Sequence, residues 1–382
     1  GVVSTLLCWW AARLLDFSRA SAFIGAAICA VLPYSAYLGA APVPEAPCAG
    51  LIVFAAATLV HSGRVRLLGA AALFAACASR YEAWGVALPF AAFTGWEAWR
   101  KRDRTLAAAA LGGLAFPVLW LLHGIVRHGD ATFFVARVSA YRAALGPQDA
   151  ILERLVRTPR ALLLEEPVLG AVFIALTAFS LLVARVENLP KARFALVVFG
   201  VVLLTWLGDI RGSAPTHHPG RALLAAWFAM ALLSSELYLR ALPCPARRTL
   251  ALPVVGGALL VGMRFSRALQ TTFVDRRDAV AIGAAARQRA FARLAIDTDD
   301  YAFFAVQAAF GHPSETLVLD DRDPRKPRAQ PWTNDPQKLL RTLRDSRVSA
   351  LVVPRTRAPF AHAVGSVSEE NSGFSLIELT QR

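Results

Sequence analysis

The stretch TLAAAALGGLAFPVLWLLHGIV, residues 105–126, decides the fold class that the sequence predicts. It contains no Asp, Glu, Lys or Arg, and a helix of this length crosses the ~30 Å hydrocarbon core of a bilayer. Hydrophobic residues make up 56% of the 382-residue chain and charged residues 18%, whereas soluble domains carry about 25% charged residues. The sequence therefore predicts an all-α polytopic protein of the cell membrane.

Apolar stretches on both sides of this one predict further membrane-spanning helices. They lie at 1–15, 20–39, 47–62, 66–79, 83–99, 167–185, 193–209, 221–240 and 249–265. Several are shorter than the ~20 residues of an upright span, and the pair that meets at Arg80 is alternatively one broken, re-entrant hairpin. We expect about ten spans, all within a transmembrane domain at 1–265.

Basic residues alternate between the gaps that separate these stretches. The odd-numbered gaps are all basic, whereas the second gap, Pro42–Pro47, has no Lys or Arg. The basic residues of the odd gaps are Arg13, Arg19, Arg64, Arg66, Arg100, Lys101, Arg102, Arg104, Arg185, Lys191, Arg193, Arg240, Arg247 and Arg248. By the positive-inside rule the odd gaps are cytoplasmic, so the even gaps and the C-terminal tail are predicted outside.

One of the predicted outer loops is long and covers residues 127–166. Its mixture of apolar residues and arginines is typical of amphipathic helices that lie on the membrane surface. Tyr141 and Arg142 in this loop are expected to meet lipid headgroups rather than a substrate.

The net charge of +14 is assigned to membrane topology and not to nucleic-acid binding, because no basic stretch is interleaved with aromatic residues on a soluble surface.

The tail at 266–382 is dense in polar residues and predicts a small extracytoplasmic α/β domain. Helices are expected at Arg276–Ala295 and at Asp335–Asp345, where Asp335 is an N-cap before Pro336. Strands are expected at Thr316–Asp320, Ala350–Val353 and Phe374–Leu379, with a parallel pair joined by a crossover. No phosphate-binding glycine loop is present, so an accessory domain without its own chemistry is favoured.

Ionisable residues at the predicted outer ends of spans are the candidates for function. Glu45 stands between Pro44 and Pro47, where it is either a helix N-cap or a ligand for a hydroxyl, an amine or a metal ion. The triplet Arg80, Tyr81 and Glu82 interrupts apolar sequence, either as a structural ion pair with an interfacial aromatic or as a phosphate clamp beside a cavity for a lipid chain or a sugar.

A further candidate cluster precedes the predicted span 221–240. Asp209 and Arg211 are followed by His217, His218 and Arg221, and this set suits an anionic headgroup. Adjacent histidines diverge on a helix, so the spacing does not predict a metal site. The five cysteines are likewise too widely spaced for a zinc or redox motif.

The order of these short motifs resembles that of the GT-C type integral membrane glycosyltransferases, in particular the family-39-like group related to protein mannosyltransferases and aminoarabinose transferases. Leu32-Pro33 followed by Glu45-Ala46-Pro47 is similar to the Ser-Glu-Pro turn of that group. Ser79-Arg80-Tyr81-Glu82 resembles its Thr-Arg-Tyr-Glu element, and Pro219-Gly220-Arg221 resembles its Arg-Tyr turn, with Ala222 in place of the usual aromatic residue.

The resemblance implies transfer of a sugar from a polyprenyl-phosphate donor to a lipid, glycan or protein acceptor outside the membrane. It implies donor contacts at Arg80, His217, His218 and Arg221, with Glu45 as a contact for the acceptor or for a divalent metal ion. The general base of that group is an Asp or Glu in the first outer loop. The alignment places that loop before Gly1, so we expect the chain to lack this carboxylate and to be N-terminally truncated.

Two other functions are compatible with the sequence. A transporter or flippase for a lipid-linked substrate is less favoured, because no internal repeat is visible and the candidate charges gather at one predicted face. A non-catalytic membrane subunit that presents its tail to a partner is the third reading. Membrane lipids are predicted partners in all three.

Overall fold

The computed structural model describes residues 1–40, 43–144, 150–183, 189–211, 219–241, 275–297, 302–319 and 335–379. The chain divides into two compact units, one within 1–142 and 147–273 and the other formed by 143–146 and 274–382. The first is helical, and the second contains a five-stranded sheet. A mainly helical chain with a small C-terminal α/β unit is therefore confirmed. The predicted domain boundary at 265 lies outside the described residues.

The described part of the first unit is helical, and two of its helices begin at a polar residue whose side chain caps the free amides. Ser18 accepts a hydrogen bond from the Ser21 amide, and Asp103 accepts from the amides of Thr105 and Leu106. The helices are α1 Val2–Leu14, α2 Arg19–Val31, α3 Pro33–Ala40, α4 Glu45–Ala57, α5 Arg64–Ser79, α6 Trp84–Lys101, α7 Arg104–His128, α8 Phe133–Ala144, α9 Ile151–Leu164, α10 Pro167–Val183, α11 Leu189–Val198, α12 Gly200–Ile210, α13 Pro219–Ala222 and α14 Leu224–Ala241.

The predicted number of about ten spans is wrong for the part of the chain that the structure describes. Two helical segments there, Arg104–His128 and Lys191–Ile210, are long and apolar enough to cross a membrane, or up to four if two bent helix pairs each form one span. The physical reason is length. Helices α1 and α4 have 13 residues each, which corresponds to only ~20 Å. The predicted span 249–265 lies outside the described residues.

Two bends between helices fall directly before or at a proline, one within the predicted span 20–39 and one where the predicted loop 127–166 meets the predicted span 167–185. Helices α2 and α3 meet at Pro33 with a bend of 67°, and α9 and α10 meet before Pro167 with a bend of 85°. Proline ends the preceding helix because it lacks a donor and restricts the residue before it. The loop at 127–166 forms helices α8 and α9, as expected, and α9 exposes Leu152 (70%) on its surface.

The core of the helical unit is built from small side chains that let helices approach closely. Alanines and cysteines of α1, α2 and α4 are buried together with Trp227 and Phe228 of α14. Gly85 of α6 and Gly200 of α12 touch so closely that a Cβ on either would come within 2.4 Å of the other's backbone oxygen. Membrane helices use small residues for such contacts because dispersion, not water exclusion, holds them together.

Arg66 was assigned to membrane topology, and the structure places its side chain in the core instead. It is 1% exposed, and Glu97 accepts from it at 3.1 Å. Its guanidinium also donates to Thr94 Oγ1 and to the backbone oxygens of Thr58, Leu59 and His61. Glu97 in turn pairs with Arg193 at 2.8 Å. Arg66 and Arg193 come from two different odd-numbered gaps, and Glu97 forms an ion pair with each of them.

The C-terminal unit is a sheet with helices connecting its strands. The strand order is β2-β1-β3-β5-β4, with β1 parallel to β2 and β3, and with β5 antiparallel to β3 and β4. The strands are β1 Leu294–Asp297, β2 Thr316–Leu319, β3 Ala350–Pro354, β4 Gly365–Glu370 and β5 Phe374–Leu379. The described helices of four or more residues are α15 Arg277–Gln288, α16 Ala302–Phe310, α17 Pro336–Asp345 and α18 Ala358–Ala361.

The structure changes three details of the predicted tail. The first helix ends at Gln288 rather than Ala295, and β1 follows it as the central parallel strand. Strand β4 was not predicted, because its sequence GSVSEE is polar and largely exposed. The parallel strands β2 and β3 are not direct neighbours, since β1 lies between them.

The predicted N-cap at Asp335 is present, and it allows a local test. The Asp335 carboxylate accepts from the amides of Gln337 and Lys338, which have no partner within the helix. Asp335→Ala should destabilise the start of α17 by about 1 kcal/mol. Hydrogen exchange of the intact chain, followed by mass spectrometry, should then be about fivefold faster in the first turn of α17 and unchanged in α15. Equal exchange in α17 would contradict this role.

Candidate functional site

Four of the predicted site residues, Glu45, Arg80, Glu82 and Arg221, lie close together in the structure, each at or near the end of a helix. Glu45 is the first residue of α4 and follows Pro44. Arg80 follows α5 with an extended backbone, and Glu82 lies in the single 3-10 turn Tyr81–Ala83 before α6. Arg221 lies in the short helix α13. The order of these motifs in the sequence therefore becomes one cluster in space.

Arg80 links the two carboxylates of the cluster. Its Nη1 donates to Glu45 Oε1 at 2.7 Å, and its Nε and Nη2 donate to Glu82 at 2.5–3.2 Å. Both carboxylates are buried, with side chains 4% and 5% exposed. Charged partners of this kind offset the cost of burying an ionised carboxylate. Arg80 therefore has a structural task, in addition to any contact with a ligand.

Arg221 approaches the same carboxylate more loosely. Its Nη1 is 4.0 Å from Glu45 Oε1, beyond hydrogen-bond distance, and its side chain is 27% exposed. Within the described chain, Arg221 Nε and Glu45 Oε2 are buried atoms with no hydrogen-bond partner. A buried donor and a buried acceptor left open in this way cost free energy unless a ligand or a water molecule completes them.

These atoms line a small cavity between α4, the 80–82 turn and the start of α14. Its other walls are apolar and include Cys48, Ile52 and Leu224. The space open to a water-sized sphere is about 10 Å³, which is room for about one water molecule. A larger ligand therefore has to reach the cluster from the side of Arg221, whose side chain is part of the wall and partly exposed.

Tyr81, predicted to share this site, points to a different group of residues. Its ring stacks on Phe134 at 4.8 Å and contacts Trp84 edge-on at 5.4 Å. Trp120 of α7 completes this aromatic cluster at 6.5 Å. Tyr81 is adjacent in sequence to Arg80, so the turn at 80–82 joins a charged cavity to an aromatic surface. Such rings suit the predicted contact with a lipid chain or a sugar.

The third predicted cluster is divided by the structure. Asp209 is buried and accepts from Thr158 Oγ1 at 2.5 Å, with Arg157 Nη1 at 3.9 Å, and both of these residues belong to α9. Arg211 is exposed at the end of α12. His217 and His218 lie outside the described residues, as do the side chains of Tyr141 and Arg142.

Sequence reasoning missed one part of this region, the pair Glu165 and Glu166 at the bend between α9 and α10. Glu166 is 4% exposed, and Glu165 contacts Tyr34 and Gly220, the neighbour of Arg221. The signal that was available is a pair of carboxylates directly before Pro167, at the start of an apolar stretch. Buried carboxylates at such a position are candidates for function.

The sequence leaves open whether Glu45 contacts a metal ion. Across the described ranges, no group of three or more His, Cys, Asp and Glu side chains is arranged to hold a metal ion. In the cluster itself Glu45 Oε1 and both oxygens of Glu82 accept from the Arg80 guanidinium. This arrangement can bind a ligand that accepts a hydrogen bond from Arg221 Nε and donates one to Glu45 Oε2.

The assignment of a function therefore depends on this geometry and on the motif resemblance. Comparisons with protein-family models, with curated proteins and with solved structures find no match to this chain.

Proposed function

We propose that this chain is the donor-binding membrane part of a glycosyltransferase that takes a sugar from a polyprenyl-phosphate carrier. The observation that carries the proposal is the meeting of Glu45, Arg80 and Arg221, which are up to 176 positions apart (221 minus 45), at one cavity. These are the positions at which the motif order resembles the GT-C type enzymes. Helices long and apolar enough to cross a membrane support the proposal, because a polyprenyl-phosphate carrier is itself a membrane lipid.

The two arginines have different tasks in this proposal. Arg80 holds both carboxylates in place, so its donors are largely used within the protein. Arg221 keeps a buried Nε that no described residue accepts from, and it is the contact for the donor phosphate. Guanidinium groups suit this task because they present several donors in a fixed plane to phosphate oxygens.

Glu45 supplies the complementary acceptor. Its Oε1 is held by Arg80, and its open Oε2 can accept from a hydroxyl of the transferred sugar. When the bond between the sugar and the phosphate breaks, negative charge grows on the phosphate oxygens. Arg221 stabilises that charge because its donors are already in place before the reaction. The topology, with this cluster on the outer side, belongs to the same proposal.

The test is sugar transfer by membranes that contain the full-length protein. Polyprenyl-phosphate mannose and polyprenyl-phosphate aminoarabinose, each labelled in the sugar, are the donors. We expect transfer of at least one sugar to membrane acceptors, and a loss of at least tenfold with Glu45→Gln, because the amide removes the charge between the two arginines. Membranes without the protein are the control.

Two results would overturn the proposal. No transfer from either donor, together with movement of the intact lipid across proteoliposomes, would identify a flippase. The two bent helix pairs give that function its structural support, since transporters use broken helices at their binding sites. Neither transfer nor movement would leave a binding subunit.

A further inference from the structure

Helix α9 turns its polar side toward the protein. Its Thr158 donates to Asp209 of α12 at 2.5 Å, and both residues are buried. Its Arg154 Nη1 donates at 3.2 Å to the backbone oxygen of Ile210, the last residue of α12. The last four carbonyl groups of a helix have no donor within the helix, so Arg154 supplies one from outside. A surface helix of a water-soluble protein has the opposite arrangement, with its apolar side on the core.

A proline within α9 makes its contact with α12 specific. Pro159 has no N–H, so the backbone oxygen of Leu155, four residues earlier, lacks its helical donor. Trp206 Nε1 of α12 donates to that oxygen at 2.7 Å. Neighbouring helices in membrane proteins satisfy backbone groups that a proline frees in this way. Hydrogen bonds of Arg154, Thr158 and Trp206 therefore fix which side of α9 faces α12.

The opposite side of α9 carries an exposed apolar stripe. Residues three and four positions apart lie above one another on a helix, so the stripe is continuous along α9. Glu153 and Arg160 each follow a residue of the stripe and are also exposed, so both lie along one margin of it. An exposed apolar surface of this kind marks a contact with lipid or with another protein. The apolar stripe consists of Leu152, Val156, Pro159 and Leu163.

Two observations place this stripe at the boundary of a bilayer. The contacts of α9 are at the end of the segment Lys191–Ile210, which is long and apolar enough to cross a membrane. Trp206 near that end is the residue type that concentrates where membrane helices leave the hydrocarbon. Helix α9 also meets the apolar helix α10 at a bend of 85°. A helix at right angles to a membrane-crossing helix lies parallel to the membrane plane.

We propose that α9 is an interfacial helix whose apolar stripe is buried among the acyl chains of one leaflet. Glu153 and Arg160 then face the headgroups and water, and a charged margin beside an apolar face is typical of helices in the membrane interface. The sequence predicts that this loop lies on the membrane surface. The structure adds which side of α9 faces the lipid and that α12, through Asp209, holds that side in place. This inference does not depend on the proposed glycosyltransferase function.

The test is photo-crosslinking in membranes that contain the full-length protein, where both lipids and other proteins are available. The photoreactive residue p-benzoylphenylalanine, which inserts into nearby C–H bonds, replaces Leu152 in one variant and Val156 in another. In the matched control it replaces Glu153, which is exposed on the same helix. Adducts are identified by mass spectrometry after proteolysis. We expect roughly fivefold more lipid adduct at 152 and 156 than at 153, because the margin faces headgroups and water.

Three results would overturn the proposal. A crosslink from 152 or 156 to a second copy of the chain, or to a different protein, would show that the stripe is a protein interface. Equal amounts of lipid adduct at 152, 156 and 153 would show that α9 has no fixed lipid-facing side. Absence of lipid adducts at 152 and 156 would show that the stripe faces water. Hydrogen exchange in α12 that matches the wild type serves as the check that each variant is folded.

Discussion

Arg66→Ala should lower the free energy of unfolding of the helical unit by about 3–5 kcal/mol, the range observed when one partner of a buried ion pair is removed. The guanidinium is 1% exposed and donates to three backbone oxygens, to Thr94 and to Glu97. All of these acceptors lose a donor at once in the variant. Among the described residues, Glu97 then keeps Arg193 as its ion-pair partner, whose side chain is 34% exposed.

The measurement is reversible unfolding in mixed micelles, followed by circular dichroism as the fraction of sodium dodecyl sulfate rises. Arg64→Ala is the matched control, because Arg64 lies two residues earlier and its side chain is exposed. We expect the control to unfold within about 0.5 kcal/mol of wild type. Arg66→Lys should be intermediate, since an ammonium group has three donors where the guanidinium has five. Equal midpoints for Arg64→Ala and Arg66→Ala would contradict the assigned role.

Arg221→Gln should weaken binding of polyprenyl phosphate by about 10–100-fold. A hydrogen bond to a charged group is worth about 1.5–3 kcal/mol, and each 1.4 kcal/mol corresponds to a factor of ten in affinity. Arg221 is a better variant than Arg80 for this purpose. Removing Arg80 would leave the buried Glu45 and Glu82 without their main partner and would disturb the fold as well.

The affinity is measured with labelled polyprenyl phosphate and the purified protein in nanodiscs. Arg211→Gln is the control, because Arg211 is an exposed arginine of the same predicted outer gap. Its substitution removes the same charge from the surface and should change the affinity less than twofold. A loss of the same size in both variants would show a general attraction between basic residues and an anionic lipid, and the site assignment would be wrong.

The sequence locates several helices and strands of this fold correctly, because their buried faces are marked by stretches of apolar residues. The apolar stretch at 105–126 is confirmed as the long helix α7, and the strands at 350–353 and 374–379 are present in the sheet. The number of spans could not be predicted in the same way. Hydrophobicity shows that a segment avoids water, but it does not show whether the helix is long enough to cross a bilayer or is bent within the protein.

At the site, the residue types predict which side chains are candidates, but the packing decides which of them come together. The motif order placed Glu45, Arg80 and Arg221 among the candidates, and they do line one cavity. Sequence could not show that Tyr81 turns away to the aromatic cluster, since neighbours in a tight turn face different directions. Glu165 was missed because its importance depends on Gly220, 55 positions later (220 minus 165), where the absent side chain makes the contact.

The central claim is that the cavity at Glu45, Arg80 and Arg221 binds the phosphate of a lipid-linked sugar. The most direct test is an experimental structure of the protein in nanodiscs with polyprenyl phosphate bound. The account predicts a phosphate oxygen at about 2.7–3.2 Å from a guanidinium nitrogen of Arg221, next to the open Oε2 of Glu45. A phosphate bound elsewhere on the helical unit, with the Arg221 side chain unchanged, would contradict it.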